Sequence, residues 1–246
     1  MAQGFFKHIP NINYDFMSDG KFYQAKDLFR KVSVWSYLQE GISGYNYYRI
    51  TSGDRPDVTA ATLYGDSTLY WTFFLVNENL QDMNDWPKSQ TLLHRYIARK
   101  YSGTVLNASS STDIVSFDHD TNVSSKFLMG EKVTQATTDA YGFVTKVDPT
   151  HNRIILNSIS GTFDTSAVVG SESTKSFSPS SVLVEKDAVH HYTDSDGLLT
   201  TVSTSNTGVT NEEYERDLND EKHLIRYIEP KYMGDVLDEF KEIIRD

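Results

Sequence analysis

Residues 45–80 read YNYYRITSGDRPDVTAATLYGDSTLYWTFFLVNENL, and this stretch decides how the chain is organised. A short strand over Tyr47 to Ile50 runs into a Gly53-Asp54 turn. Asp54 is placed to cap a helix whose first turn holds Pro56, where the missing N–H is no loss. The helix is expected to stop at Tyr64-Gly65, with glycine supplying a left-handed residue. Asp66 or Ser67 then caps a second helix from Leu69 to Val76, ending near Asn77. Leu69, Phe73, Val76 and Leu80 form one stripe, and Tyr70, Trp71, Phe74 and Leu75 cover much of the remaining circumference. A helix that is apolar nearly all round must be buried on more than one side. A unit of about 45 residues is too small to wrap it alone. The cover has to come from the following helix, from the N-terminal residues or from another protein.

Residues 84–103 offer one such cover. Asn84-Asp85-Trp86-Pro87 is a turn signal, after which Leu93, Ile97 and Tyr101 share a helical face beside Leu92 and Tyr96. Arg99 and Lys100 suit the last turn, and Gly103 suits its end. On the other side, Phe5, Phe6, Ile9, Pro10, Ile12, Tyr14 and Phe16 are too irregular for a helix. Residues 1–25 therefore read as an extended arm lying either across its own domain or across another subunit. Leu28, Val32 and Trp35 mark a short amphipathic helix after it.

From about residue 104 the composition shifts. Of the 102 residues in 104–205, 33 are Ser or Thr, and strand-like alternation replaces helical spacing. Tyr141, Phe143, Thr145 and Val147 alternate along one strand, Asp148-Pro149-Thr150-His151-Asn152 reads as a turn, and Arg153 to Ile159 as the returning strand. Short strands punctuated by turns predict a small antiparallel barrel or sandwich. Residues 188–202 read as a hairpin around Asp196-Gly197. Thr210 and Glu213 form a capping-box signature for a helix over 211–222, and 223–228 reads as extended. Met233, Val236, Leu237, Phe240, Ile243 and Ile244 then define an amphipathic C-terminal helix whose apolar face serves either a core or a partner. The fold class expected is α+β in four segments: 1–44, an arm and short helix; 45–103, a βαα module with a following helix; 104–205, a Ser/Thr-rich β domain; and 206–246, C-terminal helices.

Charge excludes one class of partner. The net charge is −11, and residues 1–103 carry 11 basic and 10 acidic side chains, so the acidity resides in the remainder. There is no basic stripe to track a phosphate backbone, hence no nucleic-acid partner is expected. No apolar run approaches the roughly 20 residues of a membrane helix, the N-terminus lacks the pattern of a signal peptide, and no membrane partner is expected. Cysteine is absent, which removes disulfides and thiolate chemistry.

Little in the sequence suggests catalysis. The histidines are His8, His94, His119, His151, His190, His191 and His223, and none forms HExxH or a second ligand at helical spacing. Asp118-His119-Asp120 is the densest ligand-like cluster and reads as a solvated turn. His190-His191 lies in a predicted strand, where adjacent side chains face opposite ways and do not chelate together. GxSxG, GxxxxGK[ST] and GxGxxG are all missing. No catalytic, cofactor-binding or metal-ligating residue is therefore assigned, no cofactor is expected, and the chain is not read as an enzyme.

The tyrosine strand, Gly-Asp turn, helix to "YGD" and Trp-plus-apolar helix to Asn resemble the LysM pattern, usually a βααβ unit that grips N-acetylglucosamine polymers. The matching groove positions are Gly53 to Arg55 and Asn77 to Leu80. The pattern's second strand is missing, and Asp85-Trp86-Pro87-Lys88 stands in its place. That departure implies use of the module as a protein–protein adaptor. More broadly, FFKHIPNINYDF at 5–16, KDLFRKV at 26–32, GDRPDVTAATLYGDSTLYW at 53–71, NDWPKSQ at 84–90, YIARKYSG at 96–103 and HLIRYIEPKYMGDVLDEFKEII at 223–244 resemble, in the same order, the small baseplate wedge subunits of T-even-like contractile-tailed phages, the gene-product-53 family. The resemblance implies a structural subunit of the virion tail baseplate, assembled in the host cytoplasm in multiple copies with six-fold placement. It implies that the subunit clamps neighbouring wedge subunits and contacts the sheath-initiating subunit. The alternative function is a LysM-type cell-wall binding module.

Overall fold

Residues 9–27, 44–108, 122–123, 126–200 and 206–245 are described in the computed structural model. The expected helix around Leu28, Val32 and Trp35, the Asp118-His119-Asp120 cluster, and Phe5 and Phe6 lie outside them. The chain is α+β and divides into two units: residues 1–91 with 218–246, and residues 92–217.

The first unit opens with a two-stranded antiparallel hairpin, β1 (Asn11–Tyr14) and β2 (Tyr23–Lys26). From residue 9 onward, the expected extended arm thus folds back on itself. Asp15 turns the chain: its carboxylate accepts from the backbone N–H groups of Met17, Asp19 and Gly20, the last at 2.8 Å. Residues 45–80 follow the expected order: strand β3 (Tyr45–Arg49), helix α1 (Pro56–Tyr64), a 3₁₀ segment Ser67–Trp71 and the short helix α2 (Thr72–Val76). Gly65 ends α1 at φ 72° with its N–H on the Ala61 carbonyl, and Asp66 accepts from Thr68 N–H at the next start. Two expectations need correction. Arg55, not Asp54, occupies the cap of α1, without a side-chain bond. The second helix is a 3₁₀ turn followed by barely more than one α turn, so Leu80 lies beyond its end.

The aromatic segment is covered mainly from the C-terminal end of the chain. Strand β14 (Leu224–Ile228) pairs antiparallel with β3, setting Ile225 opposite Tyr48. Phe73, Leu80, Ile50, Ala60, Trp86 and Ile225 form one buried cluster. Trp71 packs with Ile9 and Phe240, the latter from helix α5 (Met233–Arg245), with the two rings 4.5 Å apart. Met233 and Val236 of the same helix close a third cluster with Ile228, against which Val76 packs. Leu93, Ile97 and Tyr101, expected to supply the cover, form a separate cluster with Tyr96 on helix α3 (Gln90–Lys100).

The second unit is built on a seven-stranded antiparallel sheet in the order β10-β4-β7-β6-β5-β8-β9. Its strands are β4 (Thr104–Asn107), β5 (Lys132–Gln135), β6 (Ala140–Asp148), β7 (Arg153–Ser160), β8 (Val168–Gly170), β9 (Ser176–Phe177) and β10 (Ser181–Val184). The outermost strands β9 and β10 are joined by residues 178–180 alone. A flat sheet would hold them about 29 Å apart, at about 4.8 Å per spacing. The four Cα steps from Phe177 to Ser181 reach at most about 14 Å. The sheet therefore curls into a half-barrel, and Phe177 and Val182 pack against the same core of Leu106, Val133, Val144, Ile154 and Leu156. Val105 and Ile155 turn the other way and pack on Ala188, so both faces of β7 are covered at its start. That is why its opening RIIL reads as a continuous run rather than an alternation. Beside it lie a three-stranded sheet of β11 (Val189–Thr193), β12 (Leu199–Thr200) and β13 (Thr207–Thr210), and helix α4 (Asn211–Glu221). The capping box is realised: Thr210 N–H donates to Glu213 Oε2 and Glu213 N–H to Thr210 Oγ1.

Candidate functional site

A LysM groove would lie between the turn at Gly53 to Arg55 and the segment Asn77 to Leu80. In this chain the space between these segments holds its own indole. Trp86 is 7% exposed, donates Nε1–H to the Asp54 carbonyl at 2.8 Å, and sits 5.8 Å from Phe73 and 6.0 Å from Phe74, ring to ring. Leu80 is fully buried in the same cluster. A sugar ring entering there would have to displace an aromatic side chain already paired with its polar partner.

Asn77 has a role that spacing did not disclose. Its Nδ2 donates to the carbonyls of Phe73 and Arg226, and its Oδ1 accepts from Arg226 N–H, all at 2.8–2.9 Å. A side-chain amide thus imitates one residue of a neighbouring strand and satisfies the outer edge of β14. Asn219 does the same for Lys88, accepting from its N–H at 2.7 Å and donating to its carbonyl. Asp85 and Lys222 add an ion pair at 2.9 Å, and the hydrogen bond from Lys222 is the main cause holding the Asp85 carboxyl below its ordinary value. Next to β14 is a cavity of about 350 Å³, lined by Tyr45, Tyr47, Leu75, Glu78, Leu224 and Arg226. The Tyr45 hydroxyl is buried without a hydrogen-bond partner, and burial raises its pKa.

The hairpin presents a different surface. Tyr14, Phe16, Met17, Phe22 and Tyr23 are all exposed, Met17 to 81%, within ten consecutive residues. Phe16 stands edge-on to Tyr14 at 5.0 Å and tilted to Tyr23 at 6.4 Å, so the rings form one patch. Isolated exposed apolar side chains are ordinary, but a contiguous patch marks an interaction surface. The backbone bonds to Asp15, the first of them from Gly20, hold that carboxyl below its ordinary value and fix the loop that carries the patch.

Titratable side chains gather in the second unit. Asp148 accepts from His151 Nδ1 and from Arg153 Nε, each at 2.9 Å. Burial pushes the Asp148 carboxyl up, but the hydrogen bond from His151 and the Arg153 charge outweigh it and leave the group well below the carboxylate range. Glu215, buried on α4, accepts from Lys100 Nζ at 2.6 Å and from the Tyr101 hydroxyl at 2.8 Å. Burial first, then this carboxylate, pushes the Tyr101 hydroxyl up to about 12. His190 and His191 do not face opposite ways as expected. The register of β11 slips between Val189 and His191, and the two Nδ1 atoms lie 2.9 Å apart. A bulge breaks the alternation on which that expectation rested. Among the described residues, no group of three or more His, Cys, Asp or Glu side chains is arranged to hold a metal ion.

Residues 1–117 match the family described as base plate wedge protein 53. The matched region holds the hairpin, the β3-to-α2 segment, Trp86 and α3. Among individual relatives, the baseplate wedge protein gp53 of Enterobacteria phage T4 is 30% identical over 77 residues, which are 30% of this chain and 38% of that protein. The chain therefore spans well under half the length of the curated relative it matches. Both similarities are to baseplate wedge proteins.

Proposed function

We propose that this chain is a non-enzymatic structural subunit of a phage contractile-tail baseplate wedge. It would clamp neighbouring wedge subunits and support sheath initiation through the sheath-initiating subunit. In this reading it occupies the virion tail in multiple copies of a six-fold assembly, after assembly in the host cytoplasm. The observation that carries the proposal is the aromatic hairpin, which spreads five large apolar side chains over a loop pinned by Asp15 and the strand ends that flank it. The match of residues 1–117 to the wedge family, which includes this hairpin, supports it.

β3, α1, the 3₁₀–α2 segment and β14 follow a βααβ order, with the closing strand supplied 147 residues after Asn77 by Leu224. This supports reading the module as LysM-like, completed by the C-terminal segment. Trp86 in the groove supports an adaptor role rather than a glycan grip. In this reading 1–44 is a docking arm with a short helix, 45–103 the adaptor module with its following helix, 104–205 a β domain and 206–246 a C-terminal helical segment. Each well-seated anchor would contribute about 1–3 kcal/mol, as interface hot spots do.

The test deletes residues 1–25 or replaces Phe16 and Phe22 with Asp, then measures incorporation into wedge complexes by co-purification. The substituted protein should keep its circular dichroism spectrum and lose incorporation. Normal incorporation of both variants would remove the hairpin from the interface. Retention of the wild-type protein on peptidoglycan, competed by chitin oligomers, would favour cell-wall binding instead.

A further inference from the structure

We propose that His190 and His191 form a two-nitrogen clamp for a divalent transition-metal ion of the Cu²⁺ or Ni²⁺ class. The two Nδ1 atoms are 2.9 Å apart and both rings are half-buried, leaving them open to solvent ions. As it stands, one ring carries its proton on Nδ1 and donates to the lone pair of the other. An ion bonded at about 2.05 Å to each of two nitrogens at this separation subtends about 90°. A tetrahedral angle would instead require the nitrogens about 3.3 Å apart, at the same bond length. The square bite is the one tetragonal Cu²⁺ and Ni²⁺ sites use with nitrogen donors.

The surroundings suit the exchange. His190 stacks on Tyr214 of α4, with ring centroids 3.8 Å apart and planes 11° from parallel. That stack fixes the plane of His190, so the ion lies in it and His191 makes the adjustment, each lone pair ending about 45° off the nitrogen–nitrogen line. The ion takes the place of the shared proton, which moves through solvent to the Nε2 of the same ring. Both imidazoles stay neutral and no proton is lost from the pair. Burial, then the neighbouring His191, holds His190 below its ordinary pKa. The other charged groups acting on His190 are Glu215, His151 and Arg153. Glu215 is engaged by Lys100 and Tyr101, while His151 and Arg153 are engaged by Asp148. The remaining coordination positions are left to water.

The full-length protein is titrated with CuCl₂ and followed by electron paramagnetic resonance and by quenching of tyrosine fluorescence. One equivalent should bind with hyperfine structure from two imidazole nitrogens. His190→Gln and His191→Gln should each weaken binding at least about tenfold, since even outer partners of a metal ligand are worth that much. His94→Gln, on the exposed face of α3, should leave it unchanged. Ni²⁺ should bind more tightly than Zn²⁺. Wild-type affinity retained by both histidine variants, a single-nitrogen spectrum of the wild-type protein, or Zn²⁺ exceeding Ni²⁺ would overturn the assignment. The wild-type spectrum decides even if a variant fails to fold.

Discussion

The two units of this chain reach a folded core by opposite routes. The second is drawn from one continuous run of residues, 92–217, and its main cluster lies within the single curled sheet and the segments packed on it. The first is drawn from both ends of the chain, and its apolar side chains divide among three clusters, each combining a residue before 81 with one after 224. Neither half of the first unit has a core without the other. The amides of Asn77 and Asn219 join the halves by doing the hydrogen-bonding work of missing strand neighbours. Aromatic content that looks excessive for a 45-residue module is in part the inner surface of a larger, discontinuous one.

The largest effect that follows is from truncation. Removing residues 222–246 deletes β14 and α5, and with them Ile225, Ile228, Met233, Val236 and Phe240. The first unit should lose its fold altogether while the curled sheet persists. Hydrogen exchange read by mass spectrometry would show protection lost over 45–80 and kept over 140–160. Equal protection in both regions after truncation would mean that the first unit has a core of its own. Next in size is Phe73→Ala, which empties a fully buried ring site between Tyr64, Trp86 and Ile225. It should cost about 3–5 kcal/mol, as phenylalanine truncations in cores do. Denaturant unfolding followed by Trp86 fluorescence should report that loss, and a sheet signal unchanged at the same denaturant would confirm that the cores are separate.

Much of the local structure was legible because its signals are local. Gly65, Asp66 and the Thr210–Glu213 box each act within a few residues, and each behaves as read. The β6–β7 pair was legible from the Asp148-to-Asn152 turn between two strand-like runs, although the register slips twice along β6, and the amphipathic stripe of α5 was plain from its period. What escaped depends on long-range partners. Nothing near Tyr47 says that its neighbouring strand is Arg226, and nothing around Asn77 distinguishes a helix stop from a strand mimic. Trp86 read as part of a turn because its carbonyl partner, Asp54, lies 32 residues away. His190 and His191 were misplaced for a third reason: strand alternation fails at a bulge, and a bulge is set by pairing with β13. The aromatic patch was half visible. Its side chains were in view, but the hairpin that exposes them was not.

A middle-sized effect separates the units by acid. Asp148 in the second unit has 14% of its side chain exposed, against 33% for Asp85 in the first. The folded Asp148 carboxyl lies below its ordinary value of 3.8, so its contribution is fully present above about pH 4. That contribution is lost as pH falls through the depressed folded value. Asp148→Asn should cost about 1.5–3 kcal/mol at neutral pH, the range for hydrogen bonds to charged groups. The variant should also show a flatter fall in stability below pH 4 than the wild-type protein. Melting curves across pH 2–7 would show it, and an unchanged slope would move the acid sensitivity to other carboxylates.

The smallest effects come from glycine, and they test whether the two cores are equally tight at their edges. Gly65 closes α1 at φ 72°, and a methyl group added there meets nothing within 4 Å. Its replacement by alanine should cost only the backbone penalty of a left-handed residue, about 1 kcal/mol. Gly161 has a similar φ of 81°, but an added Cβ would stand 3.0 Å from Ala140 Cα at the start of β6. That contact is with backbone inside a paired sheet, and relieving it would pull β6 from β7. Gly161→Ala should therefore cost more than Gly65→Ala by a margin resolvable in thermal unfolding. If the two losses are equal, the sheet edge at Ala140 yields as freely as open solvent, and the second unit is looser at its rim than its continuous core suggests.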